Sequence, residues 1–257
     1  MQVVKSLVDN LLFIHGAWHW SGCWYKIVNS SLLDDCRIYA LDNIGHGFSK
    51  GHEAKNFDEY TSNIQNIINS TKGKFIIIAH SMGGSIASFI ANKFPSKIKK
   101  IIYVAASMCA ENKCAIDYFM EEHYFNFMRE QGLENLVIPD TKGQFIKLNI
   151  IEKAKVIKLF YNQSSEVDVG VALRNLGELN SVIPFAYKHN YCEEFHSIHR
   201  VYVECTNDNA MPIVTQRQMQ QQFPGAKTYT LDTDHSPFFS KDQELSEIIK
   251  KETSFII

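Results

Sequence analysis

The sequence predicts an α/β fold in which a mostly parallel central sheet carries helices on both faces. Three observations support this class. Strand and helix patterns alternate along most of the 257 residues. The segment KFIIIAHS (74–81) is apolar at consecutive positions, which is typical of a central parallel strand buried on both faces. No internal repeat and no linker rich in proline or glycine interrupts the alternation.

The first 107 residues contain four strand patterns with helical patterns between them. Gly16 ends the first strand pattern, and the run RIYALDN forms the second. Apolar residues then recur on one helical face at Tyr60, Ile64 and Ile68. Such alternation implies right-handed crossovers between parallel strands. The strand patterns lie at 11–16, 37–43, 74–81 and 98–107, and the helical patterns lie at 20–32, 57–70 and 82–94.

The pattern changes between residues 109 and 195, where strand signals thin out and aromatic-rich helical segments follow one another. Alternation returns with strand patterns at 198–206 and 227–235, with a helical pattern at 211–223 between them and a closing helix from about Asp242. We therefore expect a core made of residues 1–108 and 196–257. Residues 109–195 are expected to form a helical cap inserted between two strands of the sheet.

Composition and charge exclude several classes of protein. Hydrophobic residues make up 45% and charged residues 21%, as in a globular protein with a substantial core. A net charge of −2 favours neither a nucleic-acid surface nor a polybasic membrane anchor. The apolar runs are too short to span a bilayer, and the first ten residues lack the apolar core of a signal peptide.

Six scattered cysteines without a CxxC pair indicate reduced thiols. No histidine or cysteine cluster has the spacing of zinc ligands, and we expect neither a metal nor an organic cofactor. The expected protein is cytoplasmic, a monomer or a homodimer, and binds neither nucleic acid nor membrane.

The segment AHSMG (79–83) places Ser81 at the turn between a buried strand and a helix. This small-x-Ser-x-Gly pattern makes a tight turn that strains the serine backbone and projects its hydroxyl above the sheet. The helix beginning near Met82 directs its positive end toward the same place. An N-cap serine on an ordinary helix is the alternative. The preceding strand and the following glycine pair favour a nucleophile.

A nucleophilic serine needs a base, and the base needs an acid that orients it. His235 follows the last strand pattern and Asp208 follows the preceding one, so both fall at the same sheet edge as Ser81. The order Ser, Asp, His accompanies this type of nucleophile. Asp208 also fits an Asx turn opening the next helix, which does not exclude catalysis. Weaker candidates for the acid are Asp232, Asp234 and Glu111.

An acyl-transfer site also needs backbone donors for the developing oxyanion. We expect these to be the N–H groups of Met82, which follows the nucleophile, and of Ala17 in the loop FIHGAWHW. Gly16 lets this loop approach the site closely, and Gly16 and His80 are also candidate substrate contacts. The histidines interpreted as packing residues are His15, His46 and His80.

Four segments together resemble the α/β-hydrolase superfamily: HGAWHWSGCWYKIV, AHSMGGSIA, ECTNDNAMPIVTQRQM and DTDHSPFFS. They are most similar to its methylesterase and hydroxynitrile lyase branch and the bacterial relatives of that branch. The resemblance covers residues 10–107 and 198–250 and is weak across the cap. It implies the α/β-hydrolase fold and a triad of Ser81, His235 and Asp208.

Two departures from the branch bear on the reaction. Its lyases carry threonine after the first-loop histidine and lysine after the catalytic histidine, where this sequence has Gly16 and Ser236. The resemblance therefore implies ester hydrolysis rather than cyanohydrin cleavage. The loop DNIGHGFSKG differs from that of the plant esterases, which argues against a plant hormone ester as substrate.

We expect a serine hydrolase that cleaves a small, largely apolar carboxylic ester through an acyl-enzyme. Open alternatives are a lyase, C–C hydrolase, lactonase or thioesterase with the same triad, and a ligand receptor that keeps the hydrolase pocket. Aromatic cap residues are candidates for an apolar pocket, with simple packing as the alternative for each. These residues are Tyr118, Phe119, Tyr124, Phe125, Phe127, Met128, Phe160 and Tyr161.

Overall fold

The computed structural model of the chain describes residues 9–49, 51 and 53–253. Eight of the ten residues on which the signal-peptide prediction rests lie outside this part. The strands are β1 (Asn10–Ile14), β2 (Arg37–Leu41), β3 (Phe75–His80), β4 (Ile98–Val104), β5 (Val137–Pro139), β6 (Phe145–Leu148), β7 (Leu179–Ser181), β8 (His199–Cys205) and β9 (Lys227–Leu231).

The helices alternate with the strands of the core and fill the segment between β4 and β8. They are α1 (Tyr25–Val28), α2 (Phe57–Tyr60), α3 (Ser62–Ser70), α4 (Gly83–Lys93), α5 (Ala115–Phe119), α6 (Glu122–Glu130), α7 (Lys153–Phe160), α8 (Glu166–Asn175), α9 (Ile183–Ala186), α10 (Ile213–Gln222), α11 (Pro237–Ser240) and α12 (Asp242–Thr253).

The central sheet has the strand order β2-β1-β3-β4-β8-β9, and all five pairings are parallel. Every residue of β3 is buried, which agrees with the continuous apolar pattern of this strand. The register pairs Ile14 with Ala79 and His80 with Val104, so the carboxyl ends of β1, β3 and β4 lie side by side. The predicted α/β-hydrolase fold with its parallel sheet is confirmed.

The last predicted strand is shorter than expected. The ladder between β8 and β9 ends where Cys205 pairs with Leu231, so the residues DTDH (232–235) lie in a loop rather than in the strand. This loop brings His235 beyond the carboxyl end of the sheet, where a side chain is free to turn toward the site.

The segment between β4 and β8 is mixed rather than purely helical. Besides α5 to α9 it contains an antiparallel sheet in the order β5-β6-β7. Asp140 closes the turn before β6 by accepting hydrogen bonds from the N–H groups of Gln144 and Phe145. Strands of three or four residues are too short to show a clear alternating pattern, which explains the missing prediction. The division at residues 108/109 and 195/196 stays a prediction.

Across residues 9–49, 51 and 53–253, none of the helices is both long enough and apolar enough to cross a bilayer. All six cysteines are described, and all are free thiols, as the sequence predicted. In this part of the chain no three side chains of His, Cys, Asp or Glu converge as they would around a metal ion.

Candidate active site

Ser81 lies in the tight turn between β3 and α4 and has a φ of 53°, a left-handed conformation that costs free energy for a residue other than glycine. Its N–H donates to the carbonyl of Val104 at 3.2 Å, and its carbonyl accepts from the N–H of Ser107 at 2.9 Å. These bonds tie the strained residue to β4 and to the segment after it. The predicted strand–turn–helix geometry is therefore present.

The two glycines after the turn allow the close packing that the turn requires. A Cβ at Gly83 would lie 2.8 Å from the carbonyl oxygen of Ile14. A Cβ at Gly84 would lie 2.7 Å from the carbonyl oxygen of Ser107. Both neighbours are backbone atoms that cannot move aside, so α4 approaches the sheet only because these positions lack side chains.

His235 and Asp208 form a buried hydrogen-bonded pair, with 2.6 Å between His235 Nδ1 and Asp208 Oδ2. The other carboxylate oxygen, Oδ1, accepts from the N–H groups of Ala210 at 2.8 Å and Met211 at 2.7 Å. Asp208 therefore makes the Asx turn that its sequence predicted and contacts the histidine as well. Because Nδ1 donates to the carboxylate, Nε2 of His235 is left as the basic nitrogen.

The weaker candidates for the acid all have other partners. Asp234 accepts from the N–H of Gln163 and the hydroxyl of Ser164, both at 2.9 Å, and so joins the cap to the His235 loop. Asp232 accepts from the side chains of Thr206 and Asn207. Glu111 accepts from the N–H of Tyr191.

The hydroxyl of Ser81 makes no hydrogen bond within the part of the chain that the structure describes, either to His235 or to another group. Bonds between a nucleophile and its base are often long before substrate binds and shorten during the reaction. His80, the residue before Ser81, packs its ring 4.5 Å from that of His235, so Ser81 and His235 lie at the same sheet edge.

His80 holds the loop that carries His235. Its Nε2 donates to the carbonyl of His235 at 2.7 Å, and the ring is fully buried. Burial and the neighbouring His235 lower the pKa of His80 well below 6.5, so the ring is neutral. These contacts fit the packing interpretation of His80. Its role as a substrate contact stays a prediction.

The loop after β1 presents the expected backbone donors. Within the described residues, the N–H groups of Ala17 and Met82 donate to no protein acceptor. A Cβ at Gly16 would lie 2.8 Å from the Cβ of Ser81, so glycine is needed for the loop to approach the nucleophile. The two free N–H groups are suited to an oxyanion hole, the role that the sequence predicted for them.

Two buried histidines shape this loop. His15 Nδ1 donates to the carbonyl of Gly16 at 2.8 Å, and its Nε2 accepts from the N–H of Asn43 at 3.0 Å. His19 Nδ1 donates to the carbonyl of Ala17 at 2.9 Å. The sequence predicted packing for His15, whereas His19 was not among the predicted residues. The available signal for His19 was its position two residues after Ala17.

The aromatic cap residues differ in how they relate to the site. Phe160 packs its ring 5.7 Å from that of His235. The Tyr124 hydroxyl donates to the carbonyl of Ala210, in the loop of Asp208, and the Phe119 ring lies 5.1 Å from the Tyr124 ring. Phe125 is 50% exposed and packs edge-on against Tyr124.

The other members of that set are mostly packing residues. The hydroxyl of Tyr118 is bound by the N–H of Ala110, and its side chain is buried in a small cluster with Cys109 and Met219. Met128 is buried and Phe127 is half-buried in the main core. Substrate contact by Tyr118, Phe119, Tyr124 and Phe125 stays a prediction.

Known proteins with named activities are similar to this chain along nearly its whole length. Putative methylesterase 11 of Arabidopsis thaliana is 28% identical over 94% of the chain, which spans 63% of that relative's length. The pyrethroid hydrolase of Sphingobium wenxiniae is 26% identical over 94% of this chain and 86% of its own. These relatives are named as a methylesterase and a hydrolase, which agrees with the enzyme class that the sequence predicts.

Solved structures show the same likeness. The methylesterase protein MES16 from Arabidopsis has a TM-score of 0.78 at 26% identity, with 97% of this chain and 100% of that chain covered. A pyrethroid hydrolase from Sphingobium faniae has a TM-score of 0.84 at 23% identity, with 95% and 97% covered, and supports the fold. The model of the alpha/beta hydrolase family matches residues 11–248. With its sheet, its strained serine turn and this match, the chain belongs to the alpha/beta hydrolase family.

Proposed function

We propose that the chain is a serine hydrolase that cleaves small, largely apolar carboxylic esters. The observation that carries this proposal is the buried His235–Asp208 pair at 2.6 Å, at the sheet edge where Ser81 is held with a φ of 53°. A hydroxyl displayed on a strained turn and a histidine with an oriented tautomer are the parts that acyl transfer requires.

In the first half of the reaction, Ser81 Oγ attacks the ester carbonyl carbon and its proton passes to His235 Nε2. Asp208 stabilises the imidazolium that forms. The negative charge that develops on the carbonyl oxygen is bound by the N–H groups of Ala17 and Met82. Collapse of the tetrahedral intermediate breaks the bond to the leaving alcohol, which takes the proton from Nε2.

In the second half, His235 Nε2 takes a proton from a water molecule that attacks the acyl-enzyme carbonyl. The same two N–H groups bind the second oxyanion. When this intermediate collapses, the bond to Ser81 Oγ breaks and the serine regains its proton from His235. The products are the carboxylic acid and the free serine.

Support for an ester substrate comes from the relatives, which are named for methyl esters and for pyrethroids. The same fold and triad can serve different substrates, so we place the choice of ester in the cap. The aromatic residues that reach the triad region, Phe160 and Tyr124, support a largely apolar substrate. The free thiols support a reducing compartment, and we propose a cytoplasmic location.

The proposal is tested by hydrolysis of p-nitrophenyl esters from acetate to octanoate, with Ser81→Ala as the matched variant. Removing the nucleophile should lower kcat by roughly 10⁴-fold or more, and circular dichroism should show an intact fold. The acyl chain length of the ester with the highest kcat/KM would indicate the size of the acyl pocket. Unchanged turnover in Ser81→Ala would contradict the mechanism, and cyanide release from a cyanohydrin in place of ester hydrolysis would favour a lyase.

A further inference from the structure

A chain of hydrogen bonds joins the cap to the loop that carries Ala17. Tyr161 follows α7 in the cap, and its hydroxyl lies 2.9 Å from Nε2 of His19. Nδ1 of the same ring lies 2.9 Å from the carbonyl oxygen of Ala17. Tyr161 and His19 are both buried, so water is not available to replace either partner.

The chemistry of the partners determines the direction of each bond. A carbonyl oxygen only accepts, so Nδ1 of His19 carries the proton. Nε2 of a neutral ring then only accepts, and the Tyr161 hydroxyl donates to it. Burial lowers the pKa of His19 to about 3, so the ring is neutral near neutral pH. The Tyr161 hydroxyl thus selects one of the two neutral tautomers of His19.

The peptide between Gly16 and Ala17 is held in a similar way, by His15. His15 Nδ1 donates to the Gly16 carbonyl, which belongs to the same peptide plane as the Ala17 N–H. Asn43, in the core, donates to His15 Nε2. Two consecutive peptides are therefore each held by a neutral histidine. The core supplies the donor for His15, whereas the cap supplies the donor for His19.

The next residue of the loop is also bound to the cap. Trp18 has a φ of 59°, and its carbonyl accepts from the N–H of Gly177 at 2.6 Å. Among the described residues, the Ala17 carbonyl accepts a hydrogen bond from His19 alone. The His19 ring therefore holds the carbonyl side of the peptide that follows Ala17, and the N–H side of that peptide, from Trp18, donates to Asn180 Oδ1 of the cap at 3.4 Å.

We propose that Tyr161 is a positioning residue: by fixing the tautomer of His19 it holds the peptide on the carbonyl side of Ala17, and through it the backbone position from which the Ala17 N–H is directed toward the oxyanion. This inference rests on the proposed function, because an oxyanion hole matters only if Ser81 attacks a carbonyl. It makes the cap a part of the catalytic apparatus, besides its expected role in choosing the substrate.

The test is Tyr161→Phe, which keeps the ring and its packing against Phe160 and Phe239 and removes only the hydroxyl. Loss of a whole oxyanion donor costs 10²–10³-fold in kcat, so a misaligned donor should cost about tenfold with KM nearly unchanged. An alkyl trifluoromethyl ketone, to whose carbonyl Ser81 Oγ adds, forms the same oxyanion. Its inhibition constant should rise by the factor by which kcat/KM falls.

Tyr191→Phe is the matched control, because it removes one hydroxyl that donates to a backbone carbonyl, that of Cys109, at 2.8 Å. It should leave kcat and ketone inhibition unchanged. Equal losses in the two variants would mean that Tyr161 acts through stability alone, and would overturn the inference.

A double-mutant cycle tests the route through His19. In His19→Asn the carboxamide nitrogen replaces Nδ1 as the donor to Ala17, and no Nε2 remains for Tyr161 to bind. Adding Tyr161→Phe to this variant should then change kcat very little. A second loss of about tenfold in that background would overturn the inference.

Ring-nitrogen NMR of the unmodified protein gives a readout that does not depend on folding of the variants. Near neutral pH the proton of His19 should be on Nδ1, and a proton on Nε2 would overturn the inference.

Different results would contradict the proposed function and the role of Tyr161. Turnover that survives Ser81→Ala defeats the serine mechanism, whereas serine-dependent turnover that Tyr161→Phe leaves intact defeats only the role of Tyr161.

Discussion

At the scale of single residues, two buried carboxylates beside His235 have different tasks. Asp208 contacts Nδ1 of the ring, whereas Asp234, one residue before the histidine, accepts from the N–H of Ser236 and from three other donors. All four partners of Asp234 are donors, two of them N–H groups and two of them serine hydroxyls. A carboxylate suits that place because an ionised acid only accepts hydrogen bonds.

This difference predicts opposite outcomes for two isosteric substitutions. Asp208→Asn should lower kcat about 10⁴-fold with little change in unfolding free energy, because an amide can stabilise the wrong tautomer of His235. Asp234→Asn should lower the unfolding free energy by about 1–3 kcal/mol, because its NH₂ group would face donors, with a much smaller effect on kcat. Steady-state kinetics and urea unfolding measure both. If Asp234→Asn caused the large loss of kcat and Asp208→Asn the loss of stability, the two roles would be reversed.

At the scale of secondary-structure elements, the fit between β3, α4 and the segment after β4 holds Ser81 in its turn. Gly84 is in the first turn of α4, where helix propensity favours alanine over glycine. Contact with the backbone of Ser107 opposes alanine, since a Cβ would lie 2.7 Å from its carbonyl oxygen and 2.8 Å from its nitrogen. The contact is the larger effect, because neither backbone atom is able to move aside.

Gly84→Ala should therefore lower the unfolding free energy by about 1–3 kcal/mol and reduce kcat by displacing the serine turn. Gly170→Ala in α8 is the matched control. Its Cβ would meet only the end of the flexible Arg174 side chain, at 3.5 Å, so propensity should raise the unfolding free energy by about 0.5–1 kcal/mol. Thermal unfolding and p-nitrophenyl ester turnover measure both variants. A stabilised, fully active Gly84→Ala would show that the close contact with Ser107 does not require glycine.

At the scale of the whole molecule, the fold buries several histidines as neutral rings. Burial lowers the pKa of His19 and of His189 to about 3, and lowers the pKa of His15 and of His80 well below 6.5. In the unfolded chain these groups have ordinary pKa values near 6.5. The unfolded state therefore binds more protons than the folded state as the pH falls below 6.5, and the folded state loses stability.

Each such histidine should contribute a fall of up to about 1.4 kcal/mol per pH unit below pH 6.5, and the contribution of His19 and His189 should level off near pH 3. Urea unfolding between about pH 7 and about pH 5 measures how the unfolding free energy changes with pH. Most carboxylates titrate below this range and so contribute little to that change. His189→Gln keeps a polar partner for Ser85 and should make the slope shallower by up to about 1.4 kcal/mol per pH unit. A slope unchanged by this substitution would contradict the prediction.

The fold and the residues of the candidate triad could be predicted from the sequence because their signals are local. The apolar run before Ser81 and the glycine pair after it lie within ten consecutive residues. Parallel topology then brings the ends of neighbouring strands to one edge, which singles out Asp208 and His235. The three short strands of the cap gave no comparable signal, because each is only three or four residues long and the pairing of β6 with β7 joins residues such as Lys147 and Leu179 that are 32 positions apart.

The sequence by itself therefore determined the α/β class, the parallel sheet and the positions where catalytic groups are expected. Asp208 and Asp234 follow different strands, and only the tertiary structure showed that Asp208 contacts His235 Nδ1 whereas Asp234 accepts hydrogen bonds from other donors. Only the tertiary structure joined Tyr161 to His19, which are 142 residues apart. Periodicity and local turn signals extend over a few residues, whereas a buried hydrogen bond depends on where the folded chain places its donor and its acceptor.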